Sequence, residues 1–396
     1  MAKFGELNIG VYDKLWSNND KKYLQKFIDD TAMLNVNYTF AYQHFVNASM
    51  PTETQPSGEA LFRVFAKKNV ADEMADFRAP LSDNTAMDKT GFTDYMGTIP
   101  DIGKGFYEKA AERYQKEKLF EQFGNDTTLV ANYIDDLQKL RNTVDSRLSW
   151  MAASLMSTGQ ILGTNTNGGD VWYKHKANIP TANFVKAGGD NVWSDPNCDL
   201  VKQMRQIEQE YRESTGDEQP MKWNITLNMW RNIFMKNAQL KADIINYRKL
   251  NIEAYSINGT LAEDWVNEYL NALGLLSPIE IIKEGEVEVE KGLDNRRSVK
   301  GWADDVAVFR PRGNAGEFEY TSNLDMLFAQ KYQSPSVVKT TASLSGGLMG
   351  LILSTVDNAG YPEWHSDLFC SATPALTEFP YHVIVNTATA GIGAIA

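Results

Sequence analysis

Between Thr127 and Thr158 the apolar residues Val130, Ile134, Leu137, Val144, Leu148, Met151 and Leu155 recur three, four or seven positions apart. That is the spacing of one helix face, and it predicts a single long amphipathic helix capped by Asp126 or Thr127. At about 1.5 Å per residue it spans about 50 Å, longer than a small domain is wide, so it crosses the molecule. The segment before it differs. From Pro51 to Gly105 the chain is broken by Pro51, Pro56, Pro80 and Pro100 and holds neither a helical nor a strand period. A long irregular loop is expected there, and loops of that length are normally functional or disordered. The interleaved Phe77, Phe92, Tyr95 and Met96 point to burial against something, and the partner we expect is another copy of the chain.

Elsewhere the pattern is shorter in range. Residues 1–50 fit a short helix followed by alternating extended chain, and Tyr107–Phe123 reads as a helix with Glu112 and Lys116 at i,i+4. After a break at Gly163–Gly169, Val171–Val185 reads as a β-hairpin or long strand. Trp193-Ser194-Asp195-Pro196 opens a helix to about Ser214, with Leu200, Met204, Ile207 and Tyr211 on one face. Further helices are expected at Met229–Asn237, Leu261–Leu273 and Leu324–Tyr332. Strands are expected at Ile279–Ile282, around Val287 and Val289, at Val306–Arg310, Leu344–Val356 and His382–Asn386, with those between Ile279 and Arg310 in one small sheet. Ala388–Ala396, small and glycine-containing, is expected to be a flexible tail.

Composition narrows the function classes. With 396 residues and 43% hydrophobic content the chain can bury a sizeable core, and its 9 Trp, 17 Tyr and 18 Phe exclude a solvated polymer. The nearest approach to the ~18 apolar residues of a membrane span, Leu344–Val356, is interrupted by Ser345, Gly346, Gly347, Gly350 and Ser354. No membrane partner is predicted. Met1–Asn19 lacks the apolar run of a signal peptide, so the protein is expected to stay where it is made. Cys198 and Cys370, the only two cysteines, predict a reducing compartment and no disulfide framework. A formal charge of −12 repels nucleic acid on average, and Lys67-Lys68 and Arg296-Arg297 read as solvated faces.

Catalytic chemistry is hard to assemble from these residues. None of His44, His175, His365 and His382 lies in the helical pair with glutamate that marks a zinc protease. Glu363-Trp364-His365-Ser366-Asp367 collects an acid, an imidazole and a second carboxylate, which makes a hydrolase using Glu363, His365 and Asp367 the rival from another class. A triad, however, is built from distant loops, and sequence neighbours here predict a turn packed on Trp364. Gly346-Gly347-Leu348-Met349-Gly350 lacks the Lys and Ser/Thr of a phosphate loop. No catalytic, cofactor-binding or metal residue is predicted, and the chain is not expected to be an enzyme.

Three motifs in order carry a resemblance: Trp193-Ser194-Asp195-Pro196 leading into a helix, Gly301-Trp302-Ala303-Asp304-Asp305-Val306 with Pro311 and Gly313, and Pro374 to Val385. Behind an arm, a long loop and a spine-length helix, they resemble the lambda-type major capsid protein E family of tailed bacteriophages over nearly the whole chain. The resemblance implies an α+β chain with the Hong Kong 97-type capsid fold. Carried onto this chain its parts are an N-arm at 1–55, an extended E-loop at 56–106, a peripheral domain with the spine helix at 107–219 and an axial domain at 220–370. A peripheral-domain return strand and C-terminal tail occupy 371–396. It implies hexamers and pentamers of an icosahedral head around double-stranded DNA contacted non-specifically, with scaffold, portal and decoration proteins as further partners. It also implies a place in the virion after assembly in the bacterial host cytoplasm. Each E-loop would lie on the next subunit, which makes Phe77, Phe92, Tyr95 and Met96 the candidate subunit contacts. The nearest alternative is an encapsulin-like nanocompartment shell.

Overall fold

The computed structural model describes residues 40–47, 53–54, 60–68, 91–109, 111–112, 115, 126–164, 171–215, 219–248, 263–272, 276–282, 286–290, 296–321, 337–343, 349–357 and 363–395. In chain order these form α1 (Phe40–His44), β1 (Phe45–Asn47), β2 (Glu53–Thr54), β3 (Ala60–Lys68), β4 (Gly91–Thr98), β5 (Asp101–Glu108) and α2 (Asp126–Thr158). Then come β6 (Gln160–Thr164), β7 (Val171–Lys176), β8 (Phe184–Val185), α3 (Leu200–Thr215), β9 (Met221–Thr226), α4 (Leu227–Asn232), α5 (Ala238–Arg248) and α6 (Glu263–Ala272). The last stretch holds β10 (Ile279–Ile282), β11 (Glu286–Glu290), β12 (Arg296–Lys300), β13 (Val306–Pro311), β14 (Gly316–Thr321), β15 (Val337–Ser343), β16 (Met349–Asp357), β17 (Glu363–Leu376) and β18 (Val383–Asn386). The helix expected at Leu324–Tyr332 and the N-terminal helix before residue 40 lie outside the described residues.

The expected long helix is present as the 33-residue α2. Its buried positions Leu140, Val144, Leu148, Met151 and Leu155 keep the helical spacing read from the sequence. Asp145, Ser146, Ser149, Ala152 and Ala153 are buried too, so the second half of the helix is enclosed nearly all round. Its end is set locally. Ser157 Oγ donates to the Ala153 carbonyl at 2.8 Å and Thr158 Oγ1 to the Ser154 carbonyl at 2.7 Å. Gly159 then turns left-handed at φ 71°, donating its N–H to the Leu155 carbonyl, the glycine C-cap that stops a helix.

The chain divides into two compact units. The first comprises Met1–Phe62, Thr98–Met151 and Phe318–Pro374. Its sheet runs β1-β14-β17-β16-β15, with β5 also paired to β17. β15 with β16, β16 with β17 and β17 with β5 pair antiparallel: Val337 faces Thr355, Leu351 faces Phe369, and Trp364 faces Glu108. Two expectations change here. Tyr107 and Glu108 end a strand instead of beginning a helix; residues 111, 112 and 115 are helical, and the rest of that stretch is outside the described residues. Glu363 to Asp367 is no turn either, since it begins the long β17. Pairing on both sides, His365 with Thr355 and with Tyr107, holds these residues extended.

The second unit comprises Arg63–Gly97, Ala152–Glu317 and Ala375–Ala396. Its five-stranded sheet runs β10-β9-β13-β18-β8. β9 and β13 are antiparallel with Phe309 facing Trp223, and β10 adds to β9 in parallel with Ile279 facing Trp223. β18 pairs antiparallel with β13, and β8 pairs in parallel with β18. β9 was not legible as a strand: Met221, Trp223, Asn224 and Ile225 are buried together, so a central strand covered on both faces shows no alternation. β11 and β12 form a separate antiparallel pair, so the strands expected in one small sheet fall into two. α5 is a helix that the sequence pattern did not single out.

Aromatic rings fill the core of this unit. Trp223 stands 4.9 Å from Phe309 and 6.0 Å from Trp193, and Tyr211 meets Phe309 edge-on at 5.7 Å. Their polar atoms are satisfied: Trp193 Nε1 donates to the Ala187 carbonyl at 2.8 Å and Trp223 Nε1 to Glu208 Oε1 at 2.7 Å. The helix after Trp193-Ser194-Asp195-Pro196 starts at Leu200, where Asp199 caps it by accepting from the Lys202 N–H. Leu200, Met204, Ile207 and Tyr211 face inward as expected. The buried Arg310 donates through Nε to Asn224 Oδ1 at 2.7 Å and through Nη1 to the carbonyls of Pro311 and Gly313.

The tail departs from expectation. Residues 389–395 are zipped along 184–189: the Lys186 N–H donates to the Gly393 carbonyl at 3.0 Å, Gly188 to Gly391 at 2.9 Å and Ile395 to Phe184 at 2.7 Å. The tail closes the free edge of β8, which explains why a small, glycine-rich end is held. Another close approach gives a direct test. A Cβ on Gly316 would stand 1.9 Å from the Ala375 carbonyl oxygen, a backbone atom. Gly316→Ala is therefore expected to destabilise the fold by about 1–3 kcal/mol, read as a lower urea midpoint.

Candidate functional site

The sequence segment expected to be irregular holds a ribbon. β2, β3 and β4 form a three-stranded sheet in which Glu53 faces Leu61. Along β3 the residues Phe62, Val64 and Ala66 are buried and Arg63 and Phe65 exposed, a period-2 pattern that Phe65 disguises because it is apolar on the wet side. On β4 the same alternation puts Tyr95 inside, 7% exposed, and leaves Phe92 at 78% and Met96 at 65%.

The outer face of β3 and β4 thus presents Phe65, itself 61% exposed, together with Phe92 and Met96. Arg63 and Asp94 form an ion pair on it. Both partners are solvated, so that pair fixes alignment more than it stabilises. The Arg63 guanidinium also sits 4.7 Å from the centre of the Phe65 ring, a cation–π contact. Three large apolar side chains thus stand in the open beside the paired Arg63 and Asp94.

The inner face is already occupied. Tyr95 Oη donates to the Leu376 carbonyl at 3.0 Å, and its ring meets Phe379 edge-on at 4.9 Å and His175 at 5.5 Å. Asn178 Nδ2 donates to the Asp94 carbonyl at 3.4 Å. His175 is buried, and that burial pulls its pKa down to about 4, so it packs as a neutral ring.

Of the four residues expected to contact another copy, the structure therefore brings Phe92 and Met96 together on one exposed face and packs Tyr95 into its own unit; Phe77 lies outside the described residues. Phe65 joins that face although the sequence pattern did not single it out. The signal available was the alternation from Phe62 to Ala66.

Glu363, His365 and Asp367 occupy alternate positions of β17. Among the described residues there is no group of three or more His, Cys, Asp or Glu placed to hold a metal ion. Both cysteines are buried thiols: burial and neighbouring aspartates push Cys198 up to about 11 and Cys370 up to about 12, far from a reactive thiolate. Among the described residues no helix is long and apolar enough to cross a membrane.

Comparison with known proteins agrees with the fold. The chain is similar to a protein from E. coli CFT073 described as a prophage capsid protein, with 13% identity, a TM-score of 0.50, and coverage of 92% of this chain and 98% of that one. It is also similar to the capsid of cyanophage A-1(L), at 9% identity and TM-score 0.45 over 90% of this chain and 94% of that one. For the capsid of Myoviridae phage XM1 the values are 10% and 0.44 over 92% and 95%. No curated protein matches the chain. The model of the family described as phage major capsid protein E matches residues 36–325, most of the chain. That match favours a phage shell over an encapsulin-like compartment. The chain thus belongs to the phage major capsid protein E family and is a structural protein of the viral capsid, not an enzyme.

Proposed function

We propose that copies of this chain join into the hexamers and pentamers of an icosahedral phage head around double-stranded DNA. The observation that carries the proposal is the exposed apolar face of Phe65, Phe92 and Met96 on the β3–β4 ribbon. The ribbon is the E-loop of 56–106 and docks on the next subunit around the ring. α2 serves as the spine helix of the peripheral domain, with β17 returning to it. In the five-stranded sheet β9, β10 and β13 belong to the axial domain of 220–370, and β8 and β18 join them from the peripheral-domain segments 107–219 and 371–396.

Such contacts are heterologous, one patch meeting a different one, so they generate rings and then a shell. Each is modest, and multiplicity supplies the firmness. The charge of −12 suits a wall past which DNA slides without sticking. Scaffold, portal and decoration proteins would be the further partners, with assembly in the host cytoplasm before the head becomes part of the virion.

Negative-stain electron microscopy of the expressed full chain tests this. Closed shells or tubes are expected. A well-behaved small monomer at high concentration would overturn it.

A further inference from the structure

β2 covers only the two residues Glu53 and Thr54 of the three-stranded sheet, so β3 and β4 are little more than a hairpin, which is soft by itself. Yet they must present Phe65, Phe92 and Met96 in one fixed direction if a neighbouring copy is to meet them. The stiffening lies beneath that face. Tyr95 falls between Phe92 and Met96 in sequence and points the other way, into a site whose other members, Leu376, Phe379 and His175, are all buried. Its hydroxyl supplies the Leu376 carbonyl with a donor, and its ring is held edge-on by Phe379. At the preceding residue the Asp94 carbonyl accepts from Asn178, a second tie, this one between the ribbon and the segment after β7.

We infer that Tyr95 is a positioning residue for assembly, a latch that fixes the direction of the β3–β4 ribbon in the free subunit so that its outer face reaches the next copy already oriented. The ordering cost is then met during folding and not again at docking, which strengthens the contact without adding any new one. The inference deepens the docking role proposed for the ribbon and rests on it.

Tyr95→Phe keeps the ring and deletes the hydroxyl, leaving the Leu376 carbonyl without that donor. In dilute, unassembled full-length subunits, amide hydrogen exchange across residues 91–98 is expected to quicken about ten-fold. The concentration at which shells first form, followed by light scattering, is expected to rise about ten-fold. Asn178→Ala, at an exposed position, leaves the core untouched and is expected to move both readouts the same way by about two- to three-fold. It keeps the test open should Tyr95→Phe not fold. Faster exchange with an unchanged assembly threshold overturns the latch, and so does unchanged exchange in both variants. A Phe92→Ser/Met96→Ser variant separates the two ideas: exchange at the original rate with assembly lost supports the docking face independently. Normal assembly of that variant overturns the docking face and, with it, the latch.

Discussion

Phe92→Ser combined with Met96→Ser is expected to yield soluble, folded subunits that no longer close into shells. Both side chains project from the exposed face of β4, at 78% and 65%, so their loss leaves no cavity and the unfolding free energy should change by less than about 0.5 kcal/mol. Truncating a large apolar side chain at the centre of an interface typically costs about 2 kcal/mol or more. A ring of six repeats that loss six times, so even about 2 kcal/mol per contact weakens the closed ring by about 12 kcal/mol. Sedimentation velocity checks the outcome: a single slow species at concentrations where the parent chain forms particles. Particles of normal size from the double variant would remove the ribbon's outer face from the assembly surface.

Acidification should weaken the second unit through two buried histidines. His175 packs against Tyr95, and His382 Nε2 lies 2.7 Å from the Met156 carbonyl oxygen, so that nitrogen carries the proton of the neutral ring. Burial pulls both down to about 4. For His382 the Met156 carbonyl works against burial, and the charge of Arg310 works with it. Unfolded histidines titrate near 6.5. As pH falls from about 6.5 towards 4, the unfolded chain takes up protons that the folded chain refuses, and stability falls by on the order of 3 kcal/mol per histidine. Above that window the contribution is fully present. Asp243, raised by burial and by Asp199, titrates with the opposite sign and offsets part of the loss. Urea unfolding followed by tryptophan fluorescence between pH 8 and 4 reads this directly, and His175→Phe should remove about half of the slope. A flat midpoint across that range would show that neither ring is buried neutral.

Both predictions depend on side chains whose roles were unequally visible in the sequence. His175 and His382 are ordinary histidines until burial is known. Phe92, Tyr95 and Met96 look alike as apolar residues in an irregular segment, and only pairing with β3 sends Tyr95 inward and the other two out. Phe65 escaped notice because an exposed phenylalanine erases the polar half of the alternation that would have marked β3. The helix from Asp126 and the inward face of α3 were legible, as were the strands at Ile279–Ile282 and Val306–Pro311. In each, the apolar pattern and its boundary residues lie within a few turns or pleats of one another. The order of the three motifs sufficed to point to the capsid family.

By itself, then, the sequence determined the long α2 and the amphipathic α3, and the order of its motifs pointed to the family. Those follow from periods and end signals that the backbone imposes locally, whatever else the chain does. Tertiary structure decided that β9 is a strand, that Glu363 to Asp367 is extended, that the tail is pinned along 184–189 and that Tyr95 is a root while Phe92 and Met96 form a face. Each of these depends on hydrogen bonds or packing with residues far away in the chain, and no local period encodes which distant partner arrives.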